Sequence, residues 1–271
     1  MPGARNFCAF MPFPDYCLFL LFVALATYAQ TMTGFAFGLV LLGLSGMFNL
    51  APLPMVSNVV SILTLVNLTV SIGRTRPQVN WTLLLPALGS SLFGIAFGVF
   101  SLRWVGHDFA VVLHWLLGLT IVVCAFMLVN EARRRKEVSG RASFLFFGTL
   151  SGVLSGLFSS GGPPIVYHLY RQPLPVATVR NTLLIFFAFT SGARLLLVTL
   201  EGAIDTATVM ISLGALPVVI VLTWLVRRYA NMESARLVRR LVFILLVAAG
   251  VGLLVPASME LLRIAAAVAS A

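Results

Sequence analysis

The chain has 271 residues, 60% of them hydrophobic and only 10% charged, with a formal net charge of +10. Apolar content so far above the norm for soluble domains, and charge so far below it, excludes a water-soluble globular protein and indicates a polytopic membrane protein. At about 20 residues per span, roughly eight membrane segments fit with short loops, and no separate soluble domain is left over.

The basic balance comes from seventeen Arg and one Lys against eight acids. Most of these arginines lie in short loops between apolar runs, so they orient the chain in a bilayer and do not imply a nucleic-acid partner. The stretch before Tyr16 holds Arg5, but no small-residue cleavage site follows it, so no removable signal peptide is expected. Cys8, Cys17 and Cys124 are far apart and lack metal-ligand spacing, which leaves buried packing as their default role.

In chain order, two helical arms are expected at Tyr16–Gln30 and Phe35–Phe48, interrupted around Thr31-Met32-Thr33-Gly34. Spans follow at Met55–Ile72, Trp81–Leu102 and Asp108–Asn130. A charged link, residues 131–141 (EARRRKEVSGR), separates these from a second interrupted pair over Ala142–Tyr170. Three further spans are expected at Val176–Leu200, Ala207–Val226 and Leu237–Val255. The halves echo each other. Each opens on an interrupted, glycine-bearing segment, continues through Pro-Leu-Pro (Pro52–Pro54, Pro173–Pro175), and enters a span with an early Asn, Asn58 or Asn181. The expected organisation is therefore a first membrane repeat over 16–130, the basic link, and a second repeat over 142–256.

Arginine placement selects a topology. If each interrupted segment enters and leaves on one side, each half makes three full crossings. Arg74, Arg76, the Arg133–Arg141 link, Arg171 and the Arg227–Arg240 loop then share the cytoplasmic side. An odd number of crossings per half makes the repeats inverted, the alternative being a distorted crossing by the interrupted segment.

The strongest local signal is Ser159-Ser160-Gly161-Gly162-Pro163-Pro164, flanked by apolar runs. An interrupted helix in hydrocarbon leaves backbone groups unpaired and persists only inside protein or along a cavity. Its free N–H donors suit an anion, Ser159 and Ser160 add hydroxyls, and Gly161 and Gly162 permit close approach. A surface turn is the alternative. The matching interruption offers Thr31, Thr33 and Gly34, against a helix kinked and satisfied by its own threonines. Arg180 and Arg194 lie within one span. Arg180 is the better candidate for an anion path, whereas Arg194 lies within reach of Glu201 or Asp205. Asn58 and Asn181 either line the cavity or cap a neighbouring helix. His168 reads as a packed side chain before a proton carrier, and His107 and His114 as span-end residues. Gly94 and Gly98, like Gly148, Gly152 and Gly156, suit close helix packing. No carboxylate falls mid-span, and no nucleotide-binding loop, zinc-protease motif or nucleophile elbow is present, so an enzyme is not expected.

The series Gly152-Val153-Leu154-Ser155-Gly156-Leu157-Phe158-Ser159-Ser160-Gly161-Gly162-Pro163-Pro164, the two related halves and the basic link between them resemble the sulfite exporter TauE/SafE family of membrane transporters. The resemblance covers Tyr16–Pro256. The first half departs from it, reading Thr33-Gly34-Phe35-Ala36-Phe37-Gly38. What it implies is transport of a small sulfur-containing or organic anion, such as sulfite or a sulfonate, across a bacterial inner membrane.

The expectation is thus an all-α polytopic membrane protein of two inverted repeats, each an interrupted helical segment plus three transmembrane helices. It carries a substrate site at Ser159, Ser160, Gly161, Gly162, Pro163, Thr33, Gly34, Asn58, Asn181 and Arg180. No cofactor or metal is called for. Lipid and a small anion are the expected partners, nucleic acid is not, and self-association into a homo-oligomer stays open. A passive anion channel and a scaffold subunit that moves nothing are the rival functions.

Overall fold

The computed structural model describes residues 12–72, 79–104, 110–129, 136–229 and 235–269. Arg74, Arg76, His107 and the first part of the central link, residues 131–135, lie outside them. The described residues form ten helices and no strand. They are α1 (Phe13–Thr33), α2 (Phe37–Met47), α3 (Leu53–Ile72), α4 (Trp81–Trp104) and α5 (Ala110–Val129), then α6 (Arg141–Phe158), α7 (Gly162–Tyr170), α8 (Val176–Leu200), α9 (Thr206–Tyr229) and α10 (Ala235–Ala269). Seven of them, α1, α3, α4, α6, α8, α9 and α10, are long and apolar enough to cross a membrane, and α5 carries a shorter apolar run, Val111–Phe126. The chain is a multi-pass membrane protein.

The elements start and stop where local chemistry dictates. Pro at the first turn opens α1 and α7, where its missing N–H costs nothing. Gly34 ends α1 in the left-handed conformation (φ 83°), and its N–H bonds back to the Gln30 carbonyl at 2.7 Å. Helix α10 departs from the expected stop at Val255 and runs through Pro256 to Ala269. The residues after Pro256 are mostly strong helix formers, and Pro is tolerated within membrane helices.

Both interrupted segments double back. Helix α2 returns along α1, bringing Phe48 within 5.4 Å of Phe22, ring to ring. Helix α7 returns along α6: the Ile165 N–H donates to the Ser151 hydroxyl at 3.0 Å, and His168 packs against Phe144 and Phe147, each at 4.5 Å. His168 is thus a packed residue wedged between aromatics. The mouth of this second hairpin is tied by Gln172, which accepts from the Ser139 N–H and donates to the Ser139 hydroxyl, both at 2.9 Å.

Glycines set the closest helix pair. Gly148, Gly152 and Gly156 of α6 face Ala87, Ser91 and Gly98 of α4, and Gly94 faces Thr149 and Val153. A Cβ at Gly152 would land on the Ser91 carbonyl oxygen, so the backbones meet and the helices run parallel. Two other pairs run antiparallel. Gly118 of α5 lies against Gly250 and Leu254 of α10, while Phe126 reaches back to Phe243. Ser57 and Asn58 of α3 meet the far end of α8, while Leu65 lies against Gly192. The core joining these helices is one large apolar cluster, from Phe19 of α1 to Leu253 of α10.

Candidate functional site

The interruptions meet. A Cβ on Gly38, in the first turn of α2, would sit 3.0 Å from Ser160 Cβ and 3.2 Å from the Ser159 carbonyl oxygen. Across the same contact, Phe35 and Phe187 flank Gly162 at 3.9 and 3.8 Å from the position of its absent Cβ. All of these residues are buried. The contact therefore brings the amino ends of two short helices, α2 and α7, to one place inside the protein.

Their donors differ. Of the four backbone N–H groups at a helix start that have no partner within it, one belongs to the cap residue (Ala36 for α2, Gly161 for α7) and three to the first turn. In α2 those three belong to Phe37, Gly38 and Leu39, and among the described residues none is taken up; the first bond of the turn is Val40 N–H to the Ala36 carbonyl at 2.9 Å. In α7 two of the corresponding positions are Pro163 and Pro164, which have no N–H, and Ile165 gives its own to Ser151. That leaves the N–H groups of Gly161 and Gly162, so Pro163 shapes the turn without donating. The positive end of each helix dipole adds to these donors.

Side chains complete the second interruption. Ser159 ends α6 in the left-handed conformation (φ 53°), its N–H bonded to the Ser155 carbonyl at 2.8 Å and its hydroxyl 2.5 Å from that of Ser61 on α3. Ser160 is buried beside Gly38, and its hydroxyl makes no hydrogen bond among the described residues.

From Ser61 the polar network runs to Arg194, only 1% exposed. Its Nη1 donates to Asn58 Oδ1 at 2.9 Å, Ser61 Oγ at 3.1 Å and the Ser57 carbonyl at 3.5 Å, and its Nε donates to the Gly156 carbonyl at 3.0 Å. The expected reach of Arg194 to Glu201 or Asp205 is not what the side chain does. It turns inward, because the carboxy end of α6 offers a carbonyl to a cation. Asp205 instead accepts from Thr208 N–H at 2.9 Å and caps α9. Asn58 also ties α3 to the loop after α8, donating to the Ala203 carbonyl at 3.2 Å.

The first interruption is built differently. Thr33 Oγ1 lies 2.7 and 2.8 Å from the Ala29 and Phe35 carbonyl oxygens, one of which takes its single proton, and accepts from the Phe35 N–H at 3.4 Å, so the hydroxyl is occupied by its own turn. Thr31 donates back to the Thr27 carbonyl at 2.7 Å. Arg180 Nη2 donates to the Thr31 carbonyl at 2.6 Å, and its Cγ lies 3.1 Å from the position of the Cβ that Gly34 lacks. Asn181 is half-buried and makes no side-chain hydrogen bond among the described residues.

The structure thus brings together Ser159, Ser160, Gly161, Gly162 and Pro163, with Asn58 attached through Ser61 and Arg194. It places Thr33, Gly34 and Arg180 at the neighbouring turn. Ser61 and Arg194 are the residues sequence reasoning undervalued. The signal for Ser61 was available: Ser57, Ser61, Thr64 and Asn67 recur at helical spacing and mark one polar, buried stripe on an otherwise apolar span. Among the described residues no His, Cys, Asp and Glu group could hold a metal ion.

The sequence also matches known proteins. The family model described as Sulfite exporter TauE/SafE matches residues 18–253. The probable sulfite/organosulfonate exporter TauE of Cupriavidus necator is 32% identical over 231 residues, covering 85% of this chain and 90% of that protein. No solved structure matches the chain. By the extent of the family match and the likeness to this relative, the chain belongs to the TauE/SafE family and is a membrane transporter, not an enzyme.

Proposed function

We propose that this chain is a secondary transporter of a small sulfur-containing anion, sulfite or a short organosulfonate, across a bacterial inner membrane. The observation that carries the proposal is the meeting of α2 and α7. The first turn of α2, whose Phe37, Gly38 and Leu39 N–H groups are unpaired among the described residues, packs through Gly38 against Ser160, beside the Gly161–Gly162 turn; all are buried, and such donors suit an oxyanion. The relative from Cupriavidus necator, named for sulfite and organosulfonates, supports the substrate class.

The repeat reading belongs to the same proposal: residues 16–130 and 142–256 are equivalent halves of inverted topology. Gly34 and Ser159 hold corresponding positions, each a left-handed cap bonded four residues back. Helices α5 and α10 correspond and run antiparallel, as do α3 and α8, which an axis in the membrane plane requires. Near one end of the bundle Arg180 meets Thr31, Arg227 donates to the Val70 carbonyl at 3.2 Å, and Tyr170 donates to the Thr33 carbonyl at 3.5 Å. By the excess of Arg in the loops that leave it, including the central link, this end is the cytoplasmic one.

The test is counterflow. Liposomes holding the purified protein and loaded with unlabelled sulfite should accumulate radiolabelled sulfite transiently and saturably. Flux that never saturates and shows no counterflow would make the protein a channel. No flux of sulfite or of a short sulfonate would remove the transport reading.

A further inference from the structure

Among the described residues, the buried guanidinium of Arg194 is held only by neutral groups. Two backbone carbonyls, one amide oxygen and one hydroxyl take its Nε and Nη1, Nη2 carries none of these bonds, and no carboxylate contacts it among the described residues. A charge buried in a membrane protein is costly unless another charge answers it. Neutral acceptors orient the group without cancelling its field. The nearest polar groups that lead away from it are Ser61 and Ser159, joined hydroxyl to hydroxyl at 2.5 Å, and Ser159 belongs to the turn where α2 and α7 meet. The positive charge and the unpaired donors therefore belong to one connected polar patch in an apolar core.

We infer that Arg194 is the counter-charge for the transported anion: the protein leaves this guanidinium without an acid so that the substrate itself neutralises it. The inference rests on the transport reading above and names the group that gives its site charge selectivity. Arg180 is not equivalent. It is only half-buried, and its nearest role is the Thr31 carbonyl and the Gly34 turn. Asn58 is the companion residue, since its amide oxygen holds Nη1 while adding no negative charge. A carboxylate of the same shape at that position would satisfy Arg194 internally and leave the anion nothing to answer.

The experiment measures sulfite binding by titration calorimetry on the purified full chain, native and in three variants, with folding checked by thermal melts and size exclusion. Arg194→Lys keeps the charge while losing the fork of donors, and should bind sulfite more tightly than Arg194→Gln. Arg194→Gln should bind at least tenfold more weakly than native. Asn58→Asp removes no cation and changes almost no volume, at the cost of the bond to Ala203, and should also bind at least tenfold more weakly. If Arg194→Gln fails to fold, Asn58→Asp alone decides. A folded Asn58→Asp or Arg194→Gln protein that binds sulfite as native does would overturn the inference. Failure of the native protein to bind either sulfite or a short sulfonate would overturn the transport reading, and this inference with it.

Discussion

The two interruptions are variations on one design, and their differences are chemical. Each ends a long helix with a left-handed residue, Gly34 or Ser159, bonded back to Gln30 or Ser155. Each presents a carboxy-end carbonyl, Thr31 or Gly156, to an arginine. Both arginines come from α8, fourteen residues apart, so they stand about 21 Å apart on nearly the same side of that helix. Beyond this the two diverge. The first interruption closes on itself through Thr33 and keeps three backbone N–H groups unpaired at the start of α2. The second gives up two donors to Pro163 and Pro164 but carries the Ser160 hydroxyl, which has no partner among the described residues, and the link through Ser159 to α3. One supplies backbone dipole and the other side chains, and an anion between them would use both.

The largest expected effect comes from the packing that fixes the second hairpin. Gly152→Leu would drive a side chain into the Ser91 backbone, and overpacking of this kind costs about 3 kcal/mol. Folded yield on size exclusion should collapse. Next is the contrast between arginines. Arg194→Gln should lower the thermal midpoint more than Arg180→Gln, because it leaves buried acceptors on two helices, α3 and α6, without a charged donor; equal midpoints would make the two arginines equivalent.

Smaller effects sharpen the comparison at the turns themselves. Ser159→Ala and Thr33→Val each remove hydrogen bonds worth about 1 kcal/mol, yet only Ser159→Ala should also slow sulfite flux in liposomes. Ala36 holds a left-handed φ of 82°. Ala36→Gly should therefore raise stability by about 1 kcal/mol with flux retained, measured by thermal melt and uptake. The smallest effect is at Asp205, whose carboxyl is held below its ordinary range by the Thr208 side-chain and backbone donors. A depressed pKa stabilises the fold above the ordinary carboxylate range and is lost as pH falls through the lowered value. Asp205→Asn should flatten the acid limb of a stability-against-pH profile.

Much of the architecture was legible because bilayer physics writes it plainly. Val176–Leu200 is bounded by Pro175 and a loop acid, and the structure ends it at the same residues. Both interruptions were visible because Gly and Pro punctuate apolar runs. The contact of Gly38 with Ser160 was not legible, since it joins the halves and depends on how two hairpins dock. Arg194 was misjudged for a related reason. Sequence distance placed it near Glu201 and Asp205, whereas three-dimensional packing brought the end of α6 and the polar stripe of α3 closer.

The central claim, that the anion sits where α2 meets the Ser159–Gly162 turn, is tested most directly by protection of Ser160. In a protein whose native cysteines are replaced by Ser, Ser160→Cys would be alkylated by a small neutral thiol reagent with and without a short sulfonate. The account predicts that alkylation slows saturably as the sulfonate is added. A sulfonate that is transported yet leaves the alkylation rate unchanged would place the site elsewhere in the protein.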